Sequence, residues 1–598
     1  MSDAPILSIK NLMVEFPRAA KAPLVVIDHV SLDIQPGRVM GLVGESGSGK
    51  TMMALSAMGL IPSPGRALAG SVVLNGVDLL KKTEAELRKI RGRDVGIVFQ
   101  DPLSSLNPVR PVGSLLIQSA MQHAKCSRTE ATERAIEMLN AVGIVNARER
   151  IRSYPHEFSG GQRQRIMIAL AAMNAPPLIV ADEPTTALDA TIQQQVLDLL
   201  KRGIGQKALF LITHDLRVAA EVCDHISVMR QGKIVESGAA DEILACPQEK
   251  YTKKLIEAVP KFGHRELFIS TKKEPIPCKP LLEMKDVEVS FKSGGRNFKA
   301  LDRVSLMIRA GGSLGIVGES GSGKSTIAKS IMRIVNITSG QILIDGVDCK
   351  KVSGNQLRTL KRRVQMVFQD PYASLDPRWR VGRIVAEPLR AQGQESKDKI
   401  ETRVAKLIEQ VELPADTAQR FPVQFSGGQR QRICLARALT LTPELLIADE
   451  PVSSLDVTIQ WKIAKLLKKV QQQYNLALIL VAHDLPLVYQ LTERIVVLYL
   501  GQIVEMGDTV GVLMQPQHPY TAALLFSSGK RISKEGALVS MDFGEPGSIF
   551  DPPVGCRFHP RCPISRPRCK TEIPSLRSLG NKGSVACHFP GELKIEEK

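Results

Sequence analysis

A glycine-rich loop occurs twice in this chain of 598 residues, as GESGSGKT at 44–51 and as GESGSGKS at 318–325. Each copy follows an apolar run and precedes a helix-compatible segment, which predicts a strand, a tight loop and a helix in succession. Glycines let the backbone curl so that its N–H groups point at phosphate oxygens, and the helix N-terminus favours the same negative charge. The sequence therefore predicts two phosphate-binding loops.

The loop belongs to a longer repeat, because four further segments recur in the same order. They are 99–108 and 368–377, 158–165 and 425–432, 178–189 and 445–456, and 212–216 and 481–485. Short apolar runs such as LIVAD and LLIAD suit buried parallel strands, so each half is predicted to be α/β. We predict a first domain at 1–260, a linker at 261–280, a second domain at 281–530 and a tail at 531–598.

The residue types in the two loops match the needs of a nucleotide with Mg²⁺. Lys50 and Lys324 are predicted to reach the β- and γ-phosphates, and Thr51 and Ser325 to offer hydroxyls to Mg²⁺. The remaining candidate contacts in the loops are Gly44, Ser46, Gly47, Ser48, Gly49, Gly318, Ser320, Gly321, Ser322, Gly323 and Thr326. Two copies in the same context make a chance match improbable.

Acidic, amide and imidazole side chains follow the apolar runs of each half. An Asp beside a phosphate loop holds Mg²⁺, and a Glu one residue later polarises the attacking water as general base. A His is predicted to contact the γ-phosphate and the water, and a Gln to contact Mg²⁺. These candidates are Asp182, Glu183, His214 and Gln100 in the first half and Asp449, Glu450, His483 and Gln369 in the second.

SGGQ before a helix-forming basic run predicts a second anion-binding corner in each half. The corners are Ser159, Gly160, Gly161 and Gln162 in the first half and Ser426, Gly427, Gly428 and Gln429 in the second. Each half already has a phosphate loop. We therefore expect each corner to serve the nucleotide of the other half.

Taken in this order, these motifs resemble the ATP-binding-cassette ATPases over nearly the whole chain. The resemblance implies two head-to-tail cassettes, each with a RecA-like α/β core, an antiparallel β subdomain and an α-helical signature subdomain. It assigns Asp189 and Asp456 to loops that communicate across the interface, and Phe16 and Phe291 to adenine stacking, with Phe298 as an alternative to Phe291. No catalytic residue is missing from either half, so we predict two sites competent for ATP hydrolysis.

Within that family, VGESGSGK, FSGGQRQR and the segments 247–260 and 516–528 resemble importers of dipeptides and oligopeptides. The resemblance implies two membrane permease subunits, a separate solute-binding protein, and docking of the permeases on 101–111 and 370–380. Nickel, glutathione and other peptide-like solutes stay open. A tandem cassette acting on ribosomes, a DNA-repair cassette and an exporter are less favoured, because the linker is short and neither insertions nor a fused membrane domain are present.

Four cysteines crowd the tail: Cys556, Cys562, Cys569 and Cys587. Structural zinc usually brings C-x₂-C pairs, which this tail lacks. Irregular spacing is compatible with an iron–sulfur cluster, and the resemblance to peptide importers favours [4Fe–4S]. Zinc and a metal-free site remain alternatives, and His559 and His588 are additional candidate ligands.

Composition limits the remaining possibilities. The formal net charge is +18, yet no motif for reading bases accompanies it, so we expect no nucleic-acid partner. We find neither a signal peptide nor an apolar run long enough to span a bilayer. The expected location is the cytoplasmic face of the inner membrane, reached through the permeases.

Overall fold

The computed structural model describes residues 4–18, 21–186, 188, 190–204, 207–259, 262, 265, 267, 279–293, 295–393, 396–452, 455–528, 531–534, 537–538, 544 and 547–596. The chain forms two compact units. The boundary between them lies between Val259 and Pro260, apart from short segments near residues 190 and 457. Most of the predicted linker at 261–280 lies outside the described residues, as does Asp189.

The first unit alternates strands and helices in the α/β manner. Its strands are β1 (Leu7–Arg18), β2 (Lys21–Ile34), β3 (Val39–Val43), β4 (Arg66–Leu74), β5 (Val77–Asp78), β6 (Val95–Val98), β7 (Leu178–Asp182), β8 (Ala208–Thr213), β9 (His225–Arg230) and β10 (Lys233–Ala239). Its helices are α1 (Lys50–Ala57), α2 (Glu84–Ile90), α3 (Pro102–Ser105), α4 (Val112–His123), α5 (Arg128–Ala141), α6 (Ala147–Arg150), α7 (Gly160–Ala172), α8 (Ala190–Ile204), α9 (Leu216–Val222), α10 (Ala240–Ala245) and α11 (Lys250–Glu257).

Two sheets organise this unit. A four-stranded antiparallel sheet has the order β2-β1-β4-β5, and a six-stranded sheet has the order β10-β9-β3-β8-β7-β6. In the larger sheet β9, β3, β8, β7 and β6 are parallel, and only β10 runs antiparallel. Every residue of β7 and β8 is buried, as expected for wholly apolar strands covered on both faces. The carboxyl ends of these parallel strands meet at one edge, where ligands usually bind.

The second unit repeats this pattern and continues into the tail. Its strands are β11 (Leu282–Ser293), β12 (Arg296–Ile308), β13 (Ser313–Val317), β14 (Ser339–Ile344), β15 (Val347–Asp348), β16 (Val364–Val367), β17 (Leu445–Asp449), β18 (Ala477–Val481), β19 (Arg494–Tyr499), β20 (Gln502–Asp508), β21 (Arg531–Lys534), β22 (Ala537–Leu538), β23 (Arg577–Ser578), β24 (Ser584–Val585) and β25 (Lys594–Glu596). Its helices are α12 (Lys324–Ile331), α13 (Gly354–Arg363), α14 (Pro371–Ser374), α15 (Val381–Gln392), α16 (Lys397–Gln410), α17 (Gly427–Leu439), α18 (Val457–Tyr474), α19 (Leu485–Leu491), α20 (Thr509–Met514), α21 (Pro519–Ser527) and α22 (Pro567–Thr571).

The larger sheet of the second unit is longer than that of the first. Its order is β16-β17-β18-β13-β19-β20-β24-β23, so two strands of the tail extend the core sheet. The junction is an antiparallel pair in which Glu505 faces Val585. An antiparallel sheet β12-β11-β14-β15 and a small sheet β22-β21-β25 complete the unit. The cysteine-bearing tail is therefore built onto the second half.

In the part of the chain that the structure describes, no helix combines the length and the apolar character of a membrane-spanning segment.

Candidate active site

The phosphate loop of the first half wraps around the ammonium group of Lys50. Gly49, the residue before α1, has a φ of 108°, a left-handed conformation that glycine adopts without steric cost. Nζ of Lys50 donates to the carbonyl oxygens of Gly44 at 2.8 Å and Glu45 at 2.9 Å, and burial lowers the pKa of this lysine. The loop backbone therefore encloses the lysine ammonium group.

The loop of the second half has the same geometry. Nζ of Lys324 donates to the carbonyl oxygens of Gly318 at 2.7 Å and Glu319 at 3.0 Å. Gly323 precedes α12 with a φ of 105°. The two sequence copies therefore fold into the same local structure.

Both loops leave room and an unsatisfied polar atom for a ligand. A Cβ built on Gly47 or Gly321 would meet nothing within 4 Å, so the tip of each loop faces open space. The buried hydroxyls of Ser48 and Ser322 have no hydrogen-bond partner among the described residues. Buried polar groups are normally paired, so each hydroxyl is an open position for a phosphate oxygen. Ser46 and Ser320 are exposed at the tips of the same loops.

A hydroxyl and a carboxylate meet beside the first loop, as the predicted magnesium site requires. Oγ1 of Thr51 lies 3.4 Å from Oδ1 of Asp182, which ends β7. Burial raises the pKa of Asp182 to about 6. Mg²⁺ prefers oxygen ligands and usually takes one or two carboxylates together with substrate phosphates, so this pair fits the ion.

The predicted general base of the first half lies among three polar side chains. Nδ1 of His214 is 3.1 Å from Oε1 of Glu183, and Nε2 of Gln100 donates to Oε2 at 2.8 Å. Burial opposes the charge of Glu183, but the hydrogen bond and the charge of His214 lower its pKa. Burial likewise opposes the imidazolium, yet Glu183 raises the pKa of His214. The carboxylate is therefore kept ionised, as a base must be.

The second half places its corresponding residues in the same way. Oγ of Ser325 donates to Oδ1 of Asp449 at 3.0 Å, and Nε2 of Gln369 donates to Oε2 of Glu450 at 2.7 Å. Nδ1 of His483 is 3.7 Å from that same Oε2 atom, a longer separation than in the first half. Burial raises the pKa of Asp449. Thr326 is half-buried in the first turn of α12.

A backbone feature of the two glutamates was not predicted from the sequence. Glu183 has a φ of 48° and Glu450 a φ of 45°, so both are left-handed residues with a side chain. Such conformations cost roughly 1–3 kcal/mol and concentrate at functional sites. Local sequence does not indicate them, because glutamate rarely adopts this conformation.

The signature corners lie at the starts of α7 and α17, on elements separate from the phosphate loops. Ser159 caps α7, where its hydroxyl accepts from the N–H of Gln162 and the Gln162 side chain accepts from the N–H of Ser159. Ser426 and Gln429 form the same reciprocal cap at α17. The serines are exposed, so each helix start is open to an anion. The residue before each serine, Phe158 or Phe425, is buried.

The remaining candidates lie on other elements. Phe16 is half-buried on β1, and Phe291 on β11 has 37% of its surface exposed and packs on Phe298 with ring centroids 5.8 Å apart. Asp456 is buried just before α18, where Oδ1 accepts from the hydroxyl of Thr458 at 2.7 Å. Asp189 lies outside the described residues.

The chain was compared with known families once this geometry was established. The family described as ABC transporter matches residues 27–186 and 301–453, about half of the chain, and the oligopeptide/dipeptide transporter C-terminal region matches 235–280 and 504–569. The chain belongs to the ABC transporter family. The predicted family, the tandem α/β cassettes and the ATPase activity are confirmed, and we refer to the two units as the first and second cassettes.

Relatives of known name align along most of the chain. The peptidoglycan transport ATP-binding protein YejF of Agrobacterium fabrum is 41% identical, with 87% of this chain and 96% of the relative covered. The glutathione import ATP-binding protein GsiA of Escherichia coli K12 is 40% identical, with coverages of 87% and 89%. Among solved structures, the dimeric ATP-binding cassette MJ0796 with ADP and Pi is 27% identical with a TM-score of 0.36, over 39% of this chain and 98% of that chain.

The four tail cysteines line one small cavity. Phe558, His518, His559 and His588 line the same cavity. Burial raises the pKa of Cys562 and of Cys587 to about 12, so these thiols are protonated at neutral pH without a metal. As placed, no group of three or more His, Cys, Asp and Glu side chains in the described part of the chain could hold a metal ion.

Proposed function

We propose that this protein is the energy-coupling ATPase of an importer for di- or oligopeptides or related peptide-like solutes. The observation that carries the proposal is the duplicated site, in which loop lysine, magnesium-type carboxylate, glutamate and histidine come together in each cassette. The substrate class follows from the match to the oligopeptide/dipeptide transporter C-terminal region and from relatives named for peptidoglycan transport and glutathione import.

In the proposed reaction, Glu183 or Glu450 accepts the proton of the attacking water. The hydrogen bonds from the glutamine and the nearby histidine support this role, because they hold the carboxylate ionised and in place. Thr51 with Asp182, or Ser325 with Asp449, would hold Mg²⁺, which would supply positive charge against the nucleotide phosphates. The histidine then contacts the γ-phosphate, and the loop lysine exchanges its carbonyl partners for phosphate oxygens.

Each ATP is proposed to be completed by the signature corner of the other cassette. Each corner offers an exposed serine and the free N–H groups of a helix start, which suits a γ-phosphate. Asp189 and Asp456 would then report nucleotide state between the cassettes, and Phe16 and Phe291 would stack on adenine. Closure on ATP and reopening after hydrolysis would drive alternating access of the permeases.

The permeases are proposed to dock on the segments after the two glutamines, 101–111 and 370–380. Two apolar side chains in these segments are unusually exposed, Val109 at 78% and Tyr372 at 64%. Exposed apolar groups of this kind mark interaction surfaces. This docking would hold the protein at the inner face of the membrane with two permeases and a solute-binding protein.

We also propose an iron–sulfur cluster, [4Fe–4S], at Cys556, Cys562, Cys569 and Cys587. The proposal is supported by the position of the four thiols, which all line one small cavity of the tail. A bound cluster would cross-link separate segments of the tail and supply one-electron redox chemistry. Loading requires deprotonation of thiols whose pKa values burial has raised, so acid should oppose it.

Co-purification tests the transport proposal. Gentle detergent extraction of the tagged protein should recover two integral membrane proteins, and peptides should stimulate ATP hydrolysis when the complex and its binding protein are reconstituted. Ribosomes or nucleic acid as the recovered partners would overturn import while leaving the ATPase assignment standing. Stimulation by nickel complexes alone would replace the peptide substrate.

Anaerobic purification tests the cluster. The wild-type protein should contain about four irons with visible absorbance, and Cys562→Ser should lose both. Cys434→Ser is the matched control, because Cys434 is a buried thiol in α17 outside the tail. Iron-free wild-type protein, or zinc in its place, would refute the cluster.

A further inference from the structure

The tail is attached to the second cassette by polar contacts as well as by strand pairing. The N–H of Ala586 donates to the carbonyl of Val504 at 2.8 Å beside the β20–β24 pair. Arg557, one residue after Cys556, donates to the carbonyl of Leu500 and to the carboxylate of Asp302 on β12. These contacts dock the tail on strands of the core.

A second arginine of the tail reaches the phosphate loop itself. Nη1 and Nη2 of Arg561 donate to the two carboxylate oxygens of Glu319 at 2.7 and 2.8 Å. The side chains of this pair are only 5% and 3% exposed. A bidentate pair fixes orientation as well as distance, and burial removes the competing water. Glu319 is the second residue of the loop sequence GESGSGKS.

The backbone of Glu319 is part of the nucleotide-binding apparatus. Its carbonyl accepts from Nζ of Lys324 at 3.0 Å and from the N–H of Ser322 at 3.1 Å. Its N–H donates to the hydroxyl of Tyr520 at 2.7 Å. Arg561 therefore holds the side chain of a residue whose main chain positions the loop lysine and the buried loop serine.

The contacts continue from the arginine to the cysteine cavity. The guanidinium of Arg561 lies 5.5 Å from the ring centroid of Phe558, which is 1% exposed and lines the cavity of the four thiols. Phe558 packs on Tyr499 and Tyr520 with ring centroids 5.4 Å apart in both cases. Nη1 of Arg561 also lies within 3.3 Å of the Tyr499 hydroxyl. The cavity and the loop are thus joined by a continuous, close-packed set of side chains.

The first cassette has the loop without this support. The N–H of Glu45 donates to the hydroxyl of Tyr251 at 3.2 Å, as Glu319 does to Tyr520. Among the residues that the structure describes, however, the Glu45 carboxylate has no ion-pair partner. The aromatic contact is common to both copies, and the buried arginine is an addition in the second.

We propose that Arg561 is a positioning residue that couples the four-cysteine tail to nucleotide binding at the phosphate loop of the second cassette. This inference rests on the proposed ATP sites. A change at the cysteines that displaces Phe558 or Arg561 releases Glu319 and loosens the loop. By thermodynamic linkage, nucleotide at this loop must in turn stabilise the tail. The first cassette should be unaffected in both directions.

The test uses the full-length protein and reads each loop separately. Lys50→Ala removes binding at the first loop, so the remaining binding of a fluorescent ATP analogue reports the second, and Lys324→Ala gives the reverse. In Lys50→Ala protein, Arg561→Met should weaken binding at the second loop at least tenfold. Arg561→Lys should weaken it less, because the charge is kept while the bidentate fork is lost. In Lys324→Ala protein, Arg561→Met should change binding at the first loop by less than twofold.

Arg557→Met is the matched control, because it removes another arginine that docks the tail but touches no loop residue. It should leave the affinity of the second loop within twofold. Equal weakening by Arg557→Met and Arg561→Met, or equal loss at both loops, would show a general stabilising role and overturn the proposal. Glu319→Gln combined with Arg561→Met should be no weaker than Glu319→Gln alone, and additive losses would also overturn it.

Linkage supplies a test that needs no change at Arg561. ATP should slow N-ethylmaleimide labelling of the tail cysteines, located by mass spectrometry, in Lys50→Ala protein and not in Lys324→Ala protein. A labelling rate that ATP leaves unchanged in both proteins would contradict the proposal, even if the arginine variants fail to fold. Loss of ATP binding by the unmodified protein would instead defeat the proposed function, so the two failures are distinguishable.

Discussion

The two cassettes share their chemistry and differ in what surrounds it. Loop, magnesium pair and strained glutamate have nearly the same geometry in both copies. The differences lie behind the site: Glu319 is paired with Arg561, whereas Glu45 lacks an ion-pair partner among the described residues. The comparison teaches that the groups proposed to contact nucleotide are the same in both copies, whereas the contacts that support them differ.

The largest expected effect tests the proposed general base, which both cassettes share. Glu183→Gln and Glu450→Gln should each lower ATP hydrolysis about 10²-fold or more at the altered site, since general-base catalysis contributes about 10²–10⁴-fold. The double variant should be nearly inactive while still binding ATP, measured by steady-state hydrolysis and by a fluorescent analogue. Full activity in either single variant would show that its cassette is dispensable for turnover.

The next effect separates a buried ion pair from an exposed one. Arg561→Ala should destabilise the second cassette by about 3–5 kcal/mol, because it removes the buried cation that pairs with the Glu319 carboxylate. Arg148→Ala in the first cassette removes a pair whose side chains are 70% and 48% exposed, so about 1 kcal/mol or less is expected. Native-state hydrogen exchange can assign each loss to its cassette. Similar losses in both variants would contradict the assigned burial.

Glu505 and Glu236 occupy corresponding positions in the two cassettes. We expect their contributions to the free energy of unfolding to change with pH in opposite directions. Burial raises the pKa of Glu505 from 4.5 to about 7, so its stabilising effect is full below pH 4.5 and is lost as pH rises through 7, by up to about 3 kcal/mol. At Glu236 burial is outweighed by hydrogen bonds, including those from the N–H groups of Gln248 and Glu249, so the pKa is lowered. Its contribution is present above pH 4.5 and is lost as the pH falls below it.

Glu505→Gln and Glu236→Gln measure these contributions. The free energy of unfolding of each cassette can be measured with urea between pH 4 and 8. In Glu505→Gln it should no longer decline with rising pH, and in Glu236→Gln it should be little changed near neutrality. A wild-type second cassette whose stability rises from pH 5 to 7, with that rise removed by Glu505→Gln, would mean that Glu505 is ionised in the folded protein.

The smallest effect concerns a helix cap. Ser127 caps α5 by accepting from the N–H of Glu130 at 3.2 Å, whereas Ser396 at the start of α16 makes no such side-chain bond. Ser127→Ala should therefore cost about 1 kcal/mol and Ser396→Ala a few tenths. Thermal unfolding resolves the difference, and equal losses would mean that both serines cap.

Local sequence patterns predicted the parts of the fold that are themselves local. The glycine loops, the buried apolar strands and the SGGQ helix starts each lie within about ten residues, and the structure contains all of them. Their repetition then placed the acidic and imidazole groups at the carboxyl ends of neighbouring parallel strands. The candidate sites were predictable for that reason.

The unpredicted features depend on distant residues or on backbone strain. Arg561 and Glu319 are 242 residues apart, and nothing in either local segment specifies the pairing. β24 is only two residues long, too short to be recognised without the edge of β20 that it joins. The left-handed backbone of Glu183 and Glu450 is imposed by the surrounding fold, because the residue itself disfavours it.

The separation of Arg561 from Glu319 also sets an order of events during synthesis. Domains generally fold as units while the ribosome adds residues one at a time. The loop lysine of the first cassette finds its carbonyl partners, Gly44 and Glu45, within the same loop. The second cassette must carry a loop carboxylate without its cation until 242 further residues have been made. In a nascent or proteolysed chain that lacks the tail, we therefore expect the second phosphate loop to lack the contact between Glu319 and Arg561, while the first loop is unaffected.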